Sequence, residues 1–358
     1  MLLSILDQSP IAEGSSGAQA LRDTIDLARL ADQLGYHRYW VAEHHGSPTL
    51  AGPSPEVLIG PIAAATEAIR VGSGGVMLPH YSPLKVAESF TILAALFPDR
   101  IDVGLGRAAG TDQLTSFALQ LDRRQRAPDD FPQQLAELLA YLDDDLPADH
   151  PFRHLAATLP GRPELPVPWL LGSSDQSAIW AGELGLRYAF ADFINPHGES
   201  IAARYRERFA PVRDLQAPRT AVAIWALCAP DDEEAQYLAS SSRMSFTLLR
   251  RGRLIPVPPP DTAVEFLAGE ARQRPRGDTP GRRGVAGSPE AVRAGIERIV
   301  HAYGADEAIV VTITHDHGVR RRSYELLAEA FGLAPRVGRA SSQPDPRDAL
   351  TGFTTSAS

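Results

Sequence analysis

Tyr39-Trp40-Val41-Ala42-Glu43-His44-His45-Gly46 opens on an apolar run of β-formers and ends abruptly in a carboxylate and two adjacent imidazoles, with Pro48 and Gly52 just beyond. That order describes a buried strand delivering titratable groups to a loop at its carboxyl end. Neighbouring residues of an extended chain face opposite ways, so His44 and His45 are not expected to serve one reacting atom together. Imidazole is the side chain best suited to accept a proton near neutral pH. Either histidine taken alone reads equally well as a hydrogen-bonded core or loop residue.

Outward from this strand, apolar runs and helical periodicities alternate. Leu2–Leu6 reads as a strand, and Ala18–Leu34 as a helix stopped by Gly35. Pro55–Ala68 is a second helix, with Ser54 as cap and Pro55 at its first position. Ile69–Gly72 is a strand dissolving into Ser73-Gly74-Gly75, a helix runs from Pro83 to Leu96, and Arg100–Gly104 is a strand. Further strands are read at Trp169–Leu171, Arg187–Ala191, Thr220–Ala229 and Ala308–Thr314. Helices are read at Phe131–Leu142, Asp175–Leu184, Glu199–Phe209, Asp231–Leu249, Pro289–Ala302 and Arg320–Gly332. Eight strands alternating with helices imply an α/β fold, and a (β/α)8 TIM barrel with insertions suits this length better than an open sheet. A single domain over residues 1–335 is expected. Leu146–Pro168 and the proline-rich Arg250–Gly287 read as irregular insertions, and 336–358 as a disordered tail.

Bulk composition narrows the classes of function. The 358 residues carry a formal charge of −9, which argues against nucleic acid or an anionic membrane surface as partner. Lys85 is the only lysine, a bias we read as compositional drift. Cys228 is the only cysteine, so no intrachain disulfide can form; a cytoplasmic setting is favoured, and the thiol reads as inert packing. The first residues lack a basic segment ahead of an apolar one, and no apolar run approaches the length of a membrane span.

Several short blocks carry chemistry. Glycines at 74 and 75 permit a bulge or close approach of another group to the backbone, although a plain Gly-rich turn fits too. Arg107, after Gly104-Leu105-Gly106, offers a planar fork suited to phosphate, or a surface salt bridge. Gly172-Ser173-Ser174-Asp175-Gln176-Ser177 starts a helix, where unpaired amides suit an anion and serines suit a cap. Gly287-Ser288-Pro289-Glu290 reads as a capped helix start. His80, Phe193, Asn195 and His315 fall near strand ends and are expected to line a pocket. His315-Asp316-His317 lacks further ligands at metal spacing, so no metal is expected. Tyr39, Trp40, Phe90, Trp169 and Trp180 read as core.

Taken in order, Trp40-Val41-Ala42-Glu43-His44-His45, Arg70-Val71-Gly72-Ser73-Gly74-Gly75-Val76-Met77-Leu78-Pro79, Ser82-Pro83, Asp99 to Arg107, Leu171-Gly172-Ser173-Ser174 and Gly287-Ser288-Pro289-Glu290 resemble the bacterial luciferase-like flavin monooxygenases. Within that family they resemble a branch found in antibiotic biosynthetic clusters, and the blocks span nearly the whole chain. The resemblance implies a barrel with its site at the carboxyl ends of the strands. It further implies reduced FMN supplied by a separate reductase, O2 as co-substrate, an organic small-molecule substrate, and a homodimer, or a heterodimer, formed through helices near the second and third strands. His44 then matches the residue that moves a proton while the flavin and oxygen form a C4a-peroxide, with Glu43 orienting its loop; read on its own, Glu43 also fits a buried partner to a nearby arginine or backbone amide. Ser73, Gly74 and Gly75 match a segment where a non-proline cis peptide, at Gly74–Gly75 or one bond earlier, braces the ring. Arg107, with Gly172, Ser173, Ser174 and Ser177, matches the phosphate grip. Two readings stand beside this one: an oxidoreductase using the deazaflavin F420, and a flavin-binding protein without turnover. Substrate choice is expected to lie in the loops 108–130 and 250–287.

Overall fold

All eight expected strands form, and the last returns to the first. In the computed structural model, which describes residues 1–108, 110–120, 123–124, 129–212, 215–273 and 284–334, the strands are β1 (Leu2–Asp7), β2 (Arg38–Val41), β3 (Arg70–Ser73), β4 (Val76–Met77), β5 (Ile101–Gly106), β6 (Val167–Gly172), β7 (Arg187–Ala191), β8 (Thr220–Cys228), β9 (Gly284–Gly287) and β10 (Glu307–Val311). Every pairing is parallel. β10 pairs with both β1 and β8, which closes the cylinder β1-β2-β3-β5-β6-β7-β8-β10. This is the (β/α)8 barrel, with β4 continuing β3 along β5 and β9 appended outside on β8.

The helices are α1 (Gly17–Leu34), α2 (Pro55–Ala64), α3 (Pro83–Leu96), α4 (Gln113–Leu119), α5 (Phe131–Asp143), α6 (Arg153–Ala156), α7 (Asp175–Glu183), α8 (Glu199–Arg208), α9 (Asp232–Leu249), α10 (Pro260–Gln273), α11 (Pro289–Tyr303) and α12 (His317–Phe331). Their ends follow local chemistry. Ser16 accepts from the Gln19 amide to start α1, and Gly35 ends it in the left-handed conformation that costs glycine nothing. Ser54, expected to cap α2, makes no such bond, and that helix ends four residues earlier than expected. Asp316 caps α12, so the helix begins at His317 and not Arg320.

The insertion expected to be irregular at 250–287 instead holds α10 and β9. Pro260 stands at the first position of α10, where a missing N–H removes no helical bond. The insertion at 146–168 contains the single turn α6 and, at its end, the first two residues of β6. The tail at 336–358 lies outside the described residues. No helix among those described is long and apolar enough to cross a membrane.

The main apolar core lies between the cylinder and its helices, and a second cluster fills the cylinder itself with Leu6, Trp40, Trp169, Ala189, Ala221, Ala223 and Ile309. At the amino ends of the strands the interior turns ionic. Arg38 bonds Glu307 at 2.6 Å and Asp102 at 2.5 Å, Arg70 bonds Asp102 at 2.6 Å, and the Trp40 indole N–H donates to Asp102 at 3.0 Å. Burial alone would raise the Asp102 pKa; the two guanidiniums outweigh it and hold the carboxyl below its usual range. The charges are matched and hydrogen-bonded, which is the condition for burying them. They close the lower end of the barrel.

Candidate active site

The opposite end is shaped by a defect in the sheet. Gly72 pairs with Asp102 and Val76 with Leu105, so four steps on the β3–β4 side run beside three on β5. One extra residue makes a bulge there, and the Gly74–Gly75 peptide within it is cis, one of the two positions expected. A Cβ on Gly75 would lie 2.7 Å from the Gly104 carbonyl oxygen, and one on Gly74 would lie 2.6 Å from Leu6 Cδ1. Only bare backbone fits. Ser73 is fully buried, its hydroxyl donating to the Gly104 carbonyl at 2.9 Å and accepting from the Gly104 amide at 3.0 Å. It pins β3 to β5 and is not part of the cavity wall.

Above the bulge opens a cavity of about 410 Å3. Of the residues singled out from the sequence, Gly74, Gly75, Arg107, Gly172, Ser173, Ser174, Ser177 and Phe193 line it. The rest of the wall is mainly apolar, and Arg107 is its only charged member among the described residues. Arg107 ends β5, pairs with the Asp129 carboxylate, and places its guanidinium carbon 5.6 Å from the centre of the Trp180 ring.

The serine loop joins β6 to α7. Ser174 and Ser177 form a reciprocal capping box at the helix start. The Ser177 hydroxyl also bonds the Ser174 carbonyl at 2.7 Å and the Tyr188 hydroxyl at 2.9 Å. Capping thus engages both serine side chains, while the helix start keeps the partial positive charge that favours anions. Asn195, expected in the wall, is instead exposed and donates to the Ser173 carbonyl at 2.8 Å. It steadies the loop from outside.

Beyond β2, Glu43 is a buried hub. Its carboxylate bonds the His45 ring at 2.6 Å and accepts from the Met77 amide at 2.9 Å. The Tyr81 hydroxyl is hydrogen-bonded to it as well, and burial followed by the charge of Glu43 raises that phenol's pKa. Glu43 and His44 are not themselves in the wall; Met77, held by Glu43, is. His44 donates its amide to the Gly52 carbonyl at 3.0 Å, and its ring Nδ1 is buried without a hydrogen-bond partner. Burial, and then the neighbouring His45, push its pKa down to about 4. The ring is therefore neutral at pH 7.

Two further expectations are corrected. His80 lies beside the His45 ring, centroids 5.5 Å apart, outside the wall. His315 donates to the Glu13 carbonyl at 3.2 Å, also away from it. His317 bonds Asp26 at 2.8 Å, and no group of three or more metal-ligating side chains occurs among the described residues. Trp40 and Trp180, read as core, line the cavity, as do Met77 and Phe131, which were not singled out. Met77 lay inside a quoted block, and its place directly after the glycine bulge was the available signal. Cys228 is buried, and burial pushes its thiol up to about 11.

Comparison with known proteins agrees with this architecture. The family model described as luciferase-like monooxygenase matches residues 1–307. The uncharacterized protein YwcH of Bacillus subtilis is 47% identical over 333 residues, spanning 92% of this chain and 98% of that protein. The N-acetyl-S-alkylcysteine monooxygenase of the same organism is 38% identical over 340 residues, spanning 93% and 99%. Among solved structures, apo-MsnO8 superposes with a TM-score of 0.85 at 44% identity, spanning 94% of this chain and 99% of that one. The chain belongs to the luciferase-like monooxygenase family.

Proposed function

We propose that the protein is a flavin-dependent monooxygenase that takes reduced FMN from a separate reductase and uses O2 to oxidise an organic small molecule. One observation carries the reading: a side-chain-free bulge at Gly74–Gly75 shares a single cavity with the Arg107 guanidinium and the start of α7. Bare backbone suits a flat ring pressed against it, and a guanidinium beside a helix start suits a phosphate. A volume of about 410 Å3 lies within the range of small-molecule sites, about 300–1,000 Å3.

In this reading Arg107 and the amides of the Ser173–Ser174 loop hold the phosphate, and Gly74 and Gly75 back the ring. When bound, the reduced flavin supplies two electrons and activates oxygen, one atom of which passes to the substrate and the other to water. We assign the movement of a proton to His44, whose ring is neutral at pH 7, and Glu43 fixes the loop by holding His45 and Met77. The wall's apolar character favours a substrate whose reacting part is uncharged. An N-acetylated S-alkylcysteine, named for the relative at 38% identity, is the first compound to test, and a place in secondary metabolism is the biological setting we assign. The same reading makes the protein a cytoplasmic homodimer, with Val57 on α2 and Ile92 on α3, exposed by 69% and 44%, lining a mainly apolar cleft of about 420 Å3.

The decisive experiment titrates the protein with FMN, riboflavin and F420, then follows oxygen uptake with reduced flavin and substrate. Preference for FMN with substrate-coupled uptake supports the proposal. Anaerobic hydride transfer with F420 alone would overturn it.

A further inference from the structure

Among the described residues, the one cation in the cavity wall already has an anion. Arg107 is paired with Asp129, and the two side chains are 49% and 65% exposed at the mouth. Asp129 stands two positions before Phe131, which opens α5, is 1% exposed and lines the cavity. The Phe131 ring lies 5.6 Å from that of Trp180, the same indole over which Arg107 is placed. The carboxylate is thus tied to the mouth by a buried anchor next to it in the chain. Asp175, at the start of α7, is engaged elsewhere, with Arg204 at 2.7 Å.

We propose that Asp129 sets the discrimination between phosphorylated and unphosphorylated flavin: its carboxylate occupies the Arg107 fork and must yield it when a phosphate arrives. The inference rests on the reading of Arg107 as the phosphate partner. Carboxylate and phosphate are alternative acceptors for the same planar donor. An exposed ion pair contributes little on its own, so a doubly charged phosphate displaces it, but at reduced net gain. The released carboxylate then stays close to the phosphate and repels it. Riboflavin leaves the pair untouched. Asp129 therefore weakens FMN selectively, which suits a cofactor that must come and go with each turnover.

The test measures binding of FMN and riboflavin, by quenching of flavin fluorescence at low salt, to the native protein, Asp129→Asn, Asp129→Glu and Arg107→Ala. Asp129→Asn is expected to bind FMN about two- to fivefold more tightly, with riboflavin unchanged and the gain shrinking as salt is added. Asp129→Glu, which keeps the charge, should behave as native. Arg107→Ala should weaken FMN about tenfold or more. Unchanged or weaker FMN binding in Asp129→Asn, or equal tightening of riboflavin, overturns the inference while leaving the grip intact if Arg107→Ala still weakens FMN and not riboflavin. Equal affinities for FMN and riboflavin in both Arg107→Ala and the native protein would instead sink the grip itself.

Discussion

Glu43 Oε2 accepts the backbone N–H of Met77 at 2.9 Å, and through that bond the loop after β2 holds the segment after the bulge in the cavity wall. The other carboxylate oxygen holds the His45 ring at 2.6 Å. Removing the carboxylate leaves buried donors without acceptors, each at a cost of about 1–3 kcal/mol. Glu43→Ala should therefore lower unfolding free energy by about 2–5 kcal/mol, read from urea midpoints, and Glu43→Gln by less, because its amide oxygen still accepts. Equal stability of all three proteins would remove Glu43 from this role.

His44 makes stability depend on pH. Its folded pKa of about 4 lies below the ordinary 6.5, so between those values the unfolded chain binds a proton that the folded one refuses. Stability is then full above about pH 6.5 and declines as pH falls towards 4, with about 3 kcal/mol at stake. His44→Gln should flatten that part of the profile in thermal melts at pH 7 and pH 4.5. Superimposable profiles would contradict it.

The same residue separates binding from turnover. His44→Ala removes the proposed proton acceptor without touching the wall, so FMN affinity should stay near native. Substrate-coupled oxygen uptake should fall by about two to four orders of magnitude. Native turnover in this variant would dismiss the assigned role.

Gly104 tests how tightly the bulge is built. A Cβ there would lie 2.2 Å from the Ser73 carbonyl oxygen and 2.8 Å from Leu171 Cδ1. Gly104→Ala forces the two strands apart at a cost of about 1–3 kcal/mol, and flavin affinity should drop with it. A variant that melts and binds like the native protein would show that the bulge can move freely.

How far the chain could be read in advance depended on element length and on direction. Most of the eight barrel strands contain apolar runs that stand out, while β3, Arg70-Val71-Gly72-Ser73, is legible mainly by its place in the alternation. β4 has only two residues and belongs to the sheet through its register with β5, which no local pattern reveals. α10 hid among prolines because one of them occupies the position where helices tolerate it. For the site, position along a strand tells how high a residue sits, not which way it faces. Asn195 and His315 lie near the carboxyl ends of their strands yet turn to neighbouring carbonyls, while Phe193 faces the cavity. Trp40 shows the converse: it is 1% exposed and still forms wall, because a residue inside a barrel near its mouth is core on one side and cavity on the other.

The ionic plug formed by Arg38, Arg70, Asp102 and Glu307 makes the cylinder a blind vessel. Whatever enters has to back out through the same doorway, so visitors queue and cannot stream through. The bulkiest guest, once seated, decides who may follow it in and what must depart before it can leave.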